Sequence, residues 1–84
     1  MKNGNGQDEE FGTSDLYFAA YLQTVGLSMV RINREDKKRI FFVFDTRAFA
    51  IEDLRTSWIN GTAKVAAQQY AANIKSLKSV VHME

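Results

Sequence analysis

The segment Ile40-Phe41-Phe42-Val43-Phe44 most constrains how this chain can fold, because it is apolar at five consecutive positions. Aromatic and β-branched residues favour a strand, in which successive side chains point to opposite faces of the sheet. A strand with one face in water normally alternates apolar and polar residues. Both faces of this strand are therefore expected to be covered, either by helices of the same chain or by a second copy of the protein.

A second strand-like segment comes before this one, and the two are predicted to form a β-hairpin. Residues 27–34 and 39–45 are both rich in Val, Ile, Phe and Met, while residues 35–38 are all charged and form the turn. A two-stranded hairpin is barely stable by itself, so it is expected to pack on helices.

The register of this hairpin depends on the length of its turn. A turn of two or four residues centred on Asp36 and Lys37 predicts the pairs Met29 with Phe44, Val30 with Val43, Arg31 with Phe42 and Ile32 with Phe41. A turn of three or five residues shifts this pairing.

A first helix is predicted over residues 16–25. Apolar side chains recur there at spacings of three and four. Thr13 or Ser14 is the predicted N-cap, and Asp15 then lies in the first turn, where the helix dipole favours an anion. Gly26 is expected to end the helix in a left-handed conformation.

Two further helices are predicted after the hairpin. The second covers residues 47–60, with Asp45 or Thr46 as its cap and Asn60-Gly61 as its stop signal. Residues 62–65 connect it to a third helix that ends near Val81. Its predicted apolar stripe consists of Ala67, Tyr70, Ala71, Ile74, Leu77 and Val81.

These elements predict an α+β fold of one domain, in the order helix, β-hairpin, helix, helix, with the hairpin packed on the helices. The domain is predicted over residues 13–84. Residues 1–12 are rich in Gly, Asn and acidic side chains and are predicted to be a disordered tail. A chain of 84 residues fits one modest core, and oligomerisation is a common way to stabilise a domain of this size.

Several short motifs together resemble a family of small bacterial and phage domains that is catalogued as a domain of unknown function. The motifs are Thr13-Ser14-Asp15-Leu16-Tyr17, Ala19-Ala20-Tyr21-Leu22, Phe41-Phe42-Val43-Phe44, Trp58, Asn60-Gly61, Val65, Tyr70 and Leu77-Lys78-Ser79. The resemblance covers nearly all of residues 13–81 and implies a single compact domain. It implies no catalytic residues. Family members carry a helix breaker after the position of Val65, where this chain has Ala66, so the third helix is expected to begin early.

The composition argues against an enzyme and against a cofactor or metal site. The chain has no cysteine, and its one histidine, His82, lies near the C-terminus, whereas zinc sites need several His or Cys ligands. Nucleophilic catalysis needs a hydroxyl or thiol beside a base, and no such group is evident. No small-molecule ligand is implied. The lack of cysteine and of a long apolar segment predicts a cytoplasmic protein that does not span a membrane.

The first functional hypothesis is a non-enzymatic interaction module, most simply a homodimer or a complex with a protein partner. It depends on the strand that is apolar on both faces. The predicted interface consists of Met29, Arg31, Ile40, Phe42 and Phe44.

The alternative is an accessory protein that binds nucleic acid. The segment 54–83 contains no Asp or Glu, and basic residues also surround the hairpin turn. The predicted contacts are Arg34, Lys37, Lys38, Arg39, Lys64, Lys75 and Lys78. Aromatic residues in excess of what a small core needs, Tyr17 among them, would serve either a protein partner or stacking on single-stranded bases.

Overall fold

The computed structural model describes residues 9–35 and 38–82, and this part of the chain forms three strands and three helices. In chain order they are β1 (Glu10–Thr13), α1 (Leu16–Val25), β2 (Ser28–Asn33), β3 (Phe41–Asp45), α2 (Ile51–Asn60) and α3 (Ala67–His82). The predicted α+β class, with the hairpin packed on helices, is confirmed.

Strand β1 was not expected from the sequence. The strand order is β1-β3-β2, with both pairings antiparallel, so β3 lies in the centre of a three-stranded sheet. The prediction of a tail over residues 1–12 is therefore wrong for residues 10–12, while residues 1–8 lie outside the described part. A four-residue strand that contains glycine carries little local signal. It forms here because β3 offers a backbone edge with which it pairs.

The hairpin contains a bulge at Val30, which changes the predicted register. Met29 pairs with Phe44 as expected, but Arg31 pairs with Val43 and Ile32 with Phe42. The predicted pairs of Val30, Arg31 and Ile32 are therefore wrong by one position. The pairs nearest the turn are shifted by one position from the predicted register. Because the bulge adds one extra residue to β2, the predicted pairing returns at Met29.

Side chains on both faces of β3 are buried within the chain, Phe42 and Phe44 on the inner face and Val43 on the outer face, while Phe41 on the outer face is half-buried. Phe42 and Phe44 are 1% and 0% exposed and belong to the same buried cluster as Leu22 of α1. On the outer face, Val43 lies beside Gly12, whose backbone would place a Cβ 3.5 Å from the valine methyl group. This is an ordinary van der Waals distance, so an alanine would also fit at position 12.

Helix α1 is buried on most of its circumference. Phe18, Ala19, Ala20, Tyr21 and Leu22 are five consecutive buried residues, because the sheet, α2 and α3 all contribute side chains that pack around it. A helix that is apolar on all sides must lie inside its domain. Gly26 ends α1 with a φ of 126°, which confirms its predicted role.

The N-cap of α1 is Asp15 rather than Thr13 or Ser14. Its carboxylate accepts hydrogen bonds from the backbone N–H groups of Tyr17 and Phe18, at 3.0 and 3.2 Å. The Thr13 hydroxyl accepts a bond from the Asp15 N–H instead. The prediction misplaced the cap because three residues in a row can cap a helix, and β1 extends as far as Thr13.

Removing this cap is a direct test of its contribution. Asp15→Ala is expected to lower the free energy of unfolding by about 1 kcal/mol, because two N–H groups of the first turn lose their acceptor. Asp15→Asn keeps an acceptor oxygen and is expected to lose less. Urea denaturation followed by circular dichroism measures both variants, and equal losses would contradict the capping role.

Helix α2 differs from its predicted limits at its start. α2 begins at Ile51 with Ala50 as its N-cap, so neither Asp45 nor Thr46 caps it. Asp45 ends β3 instead, and the Thr46 N–H donates to the Glu9 carbonyl at 2.8 Å. Gly61 ends α2 with a φ of 74°, as expected.

Helix α3 packs against α1 through part of its predicted stripe. Leu77 is buried, and Tyr70, Ile74 and Val81 pack partly against the core. Ala67 and Ala71 are exposed, so the first turns of the stripe face solvent. Between the two helices, the Asn73 amide donates to the Thr24 hydroxyl at 3.0 Å.

Candidate functional site

The structure does not bring the five predicted interface residues to one surface. Phe42 and Phe44 are buried by the chain itself, and Met29 and Ile40 pack partly against the same core. Arg31 lies on the opposite face of the sheet, because the bulge pairs it with Val43 instead of Phe42. The prediction that these residues form one interface is wrong for Phe42 and Phe44, since their side chains are not accessible to a partner.

Two ion pairs lie on the outer face of the sheet, and one of them crosses it. Arg31 donates two hydrogen bonds to Glu10, at 2.9 and 3.2 Å, and the pair spans β3 from β2 to β1. Arg47 donates to Asp45 through its side chain and through its backbone N–H. These bonds lower the pKa of Asp45 to about 2 and also lower that of Glu10. Both carboxylates are therefore held ionised, which leaves neither suited to proton transfer at neutral pH.

The predicted nucleic-acid contacts, in contrast, converge from two distant segments of the chain. The Arg34 guanidinium, at the end of β2, donates a hydrogen bond of 2.7 Å to the Val80 carbonyl, near the end of α3. Lys38 and Arg39, on the other side of the hairpin turn, line the same groove as Val81. The described residues on both sides of the hairpin turn thus lie against the C-terminal end of α3.

Helix α3 adds two lysines next to this point. Lys78 lies three residues before Val81, and its ammonium is 5.9 Å from the centre of the Tyr17 ring. Lys75 lies a further three residues back, and both lysines are exposed. Residues three apart on a helix share a face. We define the basic surface by these five exposed side chains: Arg34, Lys38, Arg39, Lys75 and Lys78.

Two of the predicted contacts are not part of the basic surface. Lys64 lies in the connector before α3, and a helix of about 1.5 Å per residue separates it from Lys78 by roughly 20 Å. Lys37 lies outside the described residues.

An open groove of about 570 Å³ lies within the basic surface. Its apolar lining comes from four side chains of α1, the hairpin and α3, namely Leu16, Ile40, Phe42 and Val81. Ser14, Lys38 and Arg39 supply the polar part of the lining. The arrangement suits a ligand with an apolar or aromatic body and a negative charge.

Five of the seven acidic residues in the described part of the chain lie away from the basic surface, namely Glu9, Glu10, Asp45, Glu52 and Asp53. The three ion pairs found among residues 9–35 and 38–82 use Glu10, Asp45 and Glu52, which lie on β1, β3 and α2. Their cations are Arg31, Arg47 and Arg55, none of which belongs to the basic surface. Acids also accompany the basic surface in sequence: Glu35 and Asp36 lie between Arg34 and Lys38, and Asp15 precedes Leu16.

A second, smaller groove of about 190 Å³ lies between β1, α1 and α2. Its lining combines the aromatic residues Phe11, Phe18 and Trp58 with the polar residues Thr13, Asp15 and Arg55, and it includes Ile59, which is 74% exposed. Arg55 stands over the Phe11 ring at 5.8 Å and is paired with Glu52, so its charge is largely compensated.

Sequence reasoning found the cations of the basic surface but missed its groove. Ser14 and Leu16 belong to one helix start and Val81 to another helix end, and only the fold brings them together. The available signal was the spacing of Lys78 and Val81, which are three apart on one helix within the segment 54–83 that contains no Asp or Glu.

Two classes of site are not found in the described part of the chain. Within residues 9–35 and 38–82, no three His, Asp or Glu side chains are grouped to hold a metal ion. None of the helices described there has the length and apolar character needed to cross a membrane.

Comparison with known proteins places the chain in a family. Residues 8–82 match the model of the family DUF5659, described as a domain of unknown function. The search of curated proteins and the search of solved structures each returned no match. The resemblance inferred from the sequence motifs, to a domain of unknown function, is confirmed at this level.

Proposed function

The chain belongs to the family DUF5659, a domain of unknown function, and we propose that it is a non-enzymatic module that binds nucleic acid through the basic surface. The observation that carries this proposal is the meeting of the hairpin turn with the end of α3, which joins five cations from two segments. A nucleic acid is the polyanion whose repeated phosphates suit such a spread of exposed cations.

Self-association through the hairpin stays a prediction, with less support than before. Its two aromatic residues, Phe42 and Phe44, are buried inside the chain. The bulge at Val30 also twists the β2 edge, and bulges of this kind disfavour edge-to-edge pairing. Sedimentation equilibrium at micromolar concentration tests it, and a monomer of 9.6 kDa would contradict it.

Binding to nucleic acid is expected to be of micromolar affinity and steeply dependent on salt. Five phosphate contacts to a single strand give a slope of log K against log salt of at most about −3.5. Fluorescence anisotropy with a labelled 20-nucleotide strand, titrated from about 50 to 200 mM NaCl, measures both quantities.

Matched charge reversals locate the binding surface. Arg39→Glu and Lys78→Glu are each expected to weaken binding by about tenfold at 50 mM salt, since each removes a phosphate contact and adds a repulsion. Lys64→Glu changes the net charge by the same amount, away from the basic surface, and is expected to weaken binding less than about twofold. Absence of binding at 50 mM salt, or equal effects of all three variants, would overturn the proposal.

A further inference from the structure

We propose, building on the function proposed above, that the basic surface takes a single strand and not a duplex, with one base in the groove and a neighbouring base stacked on Tyr17. The inference starts from the chemistry of the groove. Its lining is apolar in Leu16, Ile40 and Val81 and cationic in Arg39. A nucleotide has the same two parts, a flat base with little charge and a phosphate beside it.

The size of the groove agrees with a ligand of this kind. Its volume of about 570 Å³ falls within the range of about 300–1,000 Å³ that is usual for pockets that take small organic molecules. The groove is open along one side, so a base that enters it can stay attached to a continuous strand.

Tyr17 supplies a second position for a base. Tyr17 follows Leu16 in α1, outside the lining of the groove, and the residue is 50% exposed. The Lys78 ammonium lies over one face of the Tyr17 ring, 5.9 Å from its centre, so a base stacks on the other face and its phosphate has a cation nearby. The phenol of Tyr70 donates to the Tyr17 carbonyl at 3.3 Å, which helps to hold this part of α1 against α3.

Both positions require bases that are not paired and stacked in a double helix. In a duplex the faces of the bases are stacked against one another, and freeing one base costs free energy. A single strand presents its bases without that cost, and aromatic side chains then bind them with little dependence on sequence. The strand on this surface is therefore DNA or RNA without strong base preference.

The test compares three labelled probes of equal length and charge per strand by fluorescence anisotropy at 50 mM NaCl. They are a 20-residue oligothymidylate, the same phosphodiester chain without bases, and the oligothymidylate annealed to a 20-residue oligoadenylate, all measured at 5 °C, where the duplex stays paired. The single strand is expected to bind about tenfold more tightly than either of the other two.

Variants of Tyr17 assign the second base position. Tyr17→Leu is expected to weaken binding of the oligothymidylate about five- to tenfold, with an unchanged salt slope and an unchanged affinity for the chain without bases. Tyr17→Phe keeps the aromatic face and is expected to bind like the original protein. Circular dichroism confirms that each variant is folded.

Thymidine monophosphate tests the groove in the same protein. Amide chemical shifts of Ser14, Arg39 and Val81 are expected to change on its addition, and ribose 5-phosphate, which lacks a base, is expected to leave them unchanged.

The outcomes separate this inference from the proposed function. If all three oligonucleotide probes bind equally and Tyr17→Leu has no effect, while Lys78→Glu still weakens binding, the surface binds polyanions by charge alone and this inference is wrong. If no probe binds, the proposed function itself is wrong.

Discussion

Replacing Phe44 with alanine is expected to lower the free energy of unfolding by about 3–5 kcal/mol. The side chain is 0% exposed, and its residue pairs with Phe11 on one side and Met29 on the other. The substitution leaves a cavity between the sheet and α1, which neighbouring elements cannot fill without leaving their own contacts. Since small domains are stable by about 5–15 kcal/mol, the variant should be largely destabilised or unfolded at 37 °C.

Urea denaturation followed by circular dichroism measures this loss. Ile59→Ala is the matched control, since it removes a comparable apolar side chain at a position that is 74% exposed, and its expected effect is within about 0.5 kcal/mol. A loss for Phe44→Ala as small as that of the control would contradict the buried position of Phe44.

Phe44→Asp separates the structural role from a role in self-association. If Phe44 were an interface residue, this variant would remain folded and become monomeric. Because the side chain is buried within one chain, we expect the variant to unfold instead. Burying a carboxylate without a partner costs more free energy than a small domain can supply. Size-exclusion chromatography together with circular dichroism distinguishes the two results.

Replacing Trp58 with alanine is expected to release α2 from the rest of the domain. The indole stacks on Tyr21 at 5.3 Å between ring centres and also contacts Phe18 at 5.6 Å. Within α2, whose ten residues are all described, none is fully buried, so its attachment depends on a few half-buried side chains. An isolated helix of this length is marginal in water. The expected loss is about 2–3 kcal/mol, below the range for fully buried tryptophan.

Hydrogen exchange distinguishes release of α2 from general unfolding. Amides of α2 are expected to exchange much faster in Trp58→Ala, while those of α1 and α3 keep most of their protection. Trp58→Phe keeps an aromatic ring against Tyr21 and should retain most of the protection. Equal acceleration in all three helices would show instead that Trp58 belongs to the global core.

The local elements of this protein were largely predictable because their signals are local. The apolar spacing of α1 repeats within one or two turns, and Gly26 and Gly61 mark helix ends where a positive φ is needed. The exposure of Lys75 and Lys78 follows from their position off the apolar stripe of α3. Each of these features depends on residues that are near one another in the chain.

Errors arose where a neighbour in space decided between local alternatives. Three successive residues can cap α1, and β1 pairing as far as Thr13 leaves the role to Asp15. The sequence left the length of the hairpin turn open and so did not fix one register. In the structure, the pairing follows one register before the bulge at Val30 and another after it. Because pairing energies of adjacent registers differ little, packing on α1 decides between them.

The segment 40–44 shows most clearly which features the sequence determines and which the tertiary structure decides. Its sequence alone determined that both of its faces need cover, since exposed aromatic residues on either face would be costly. Only the tertiary structure decided that α1 covers one face of β3 and that β1 and β2 pair with its two edges. The same packing brought the hairpin turn to the end of α3 and so assembled the basic surface. A chain records which residues must be buried, whereas what buries them depends on contacts between segments that are distant in sequence.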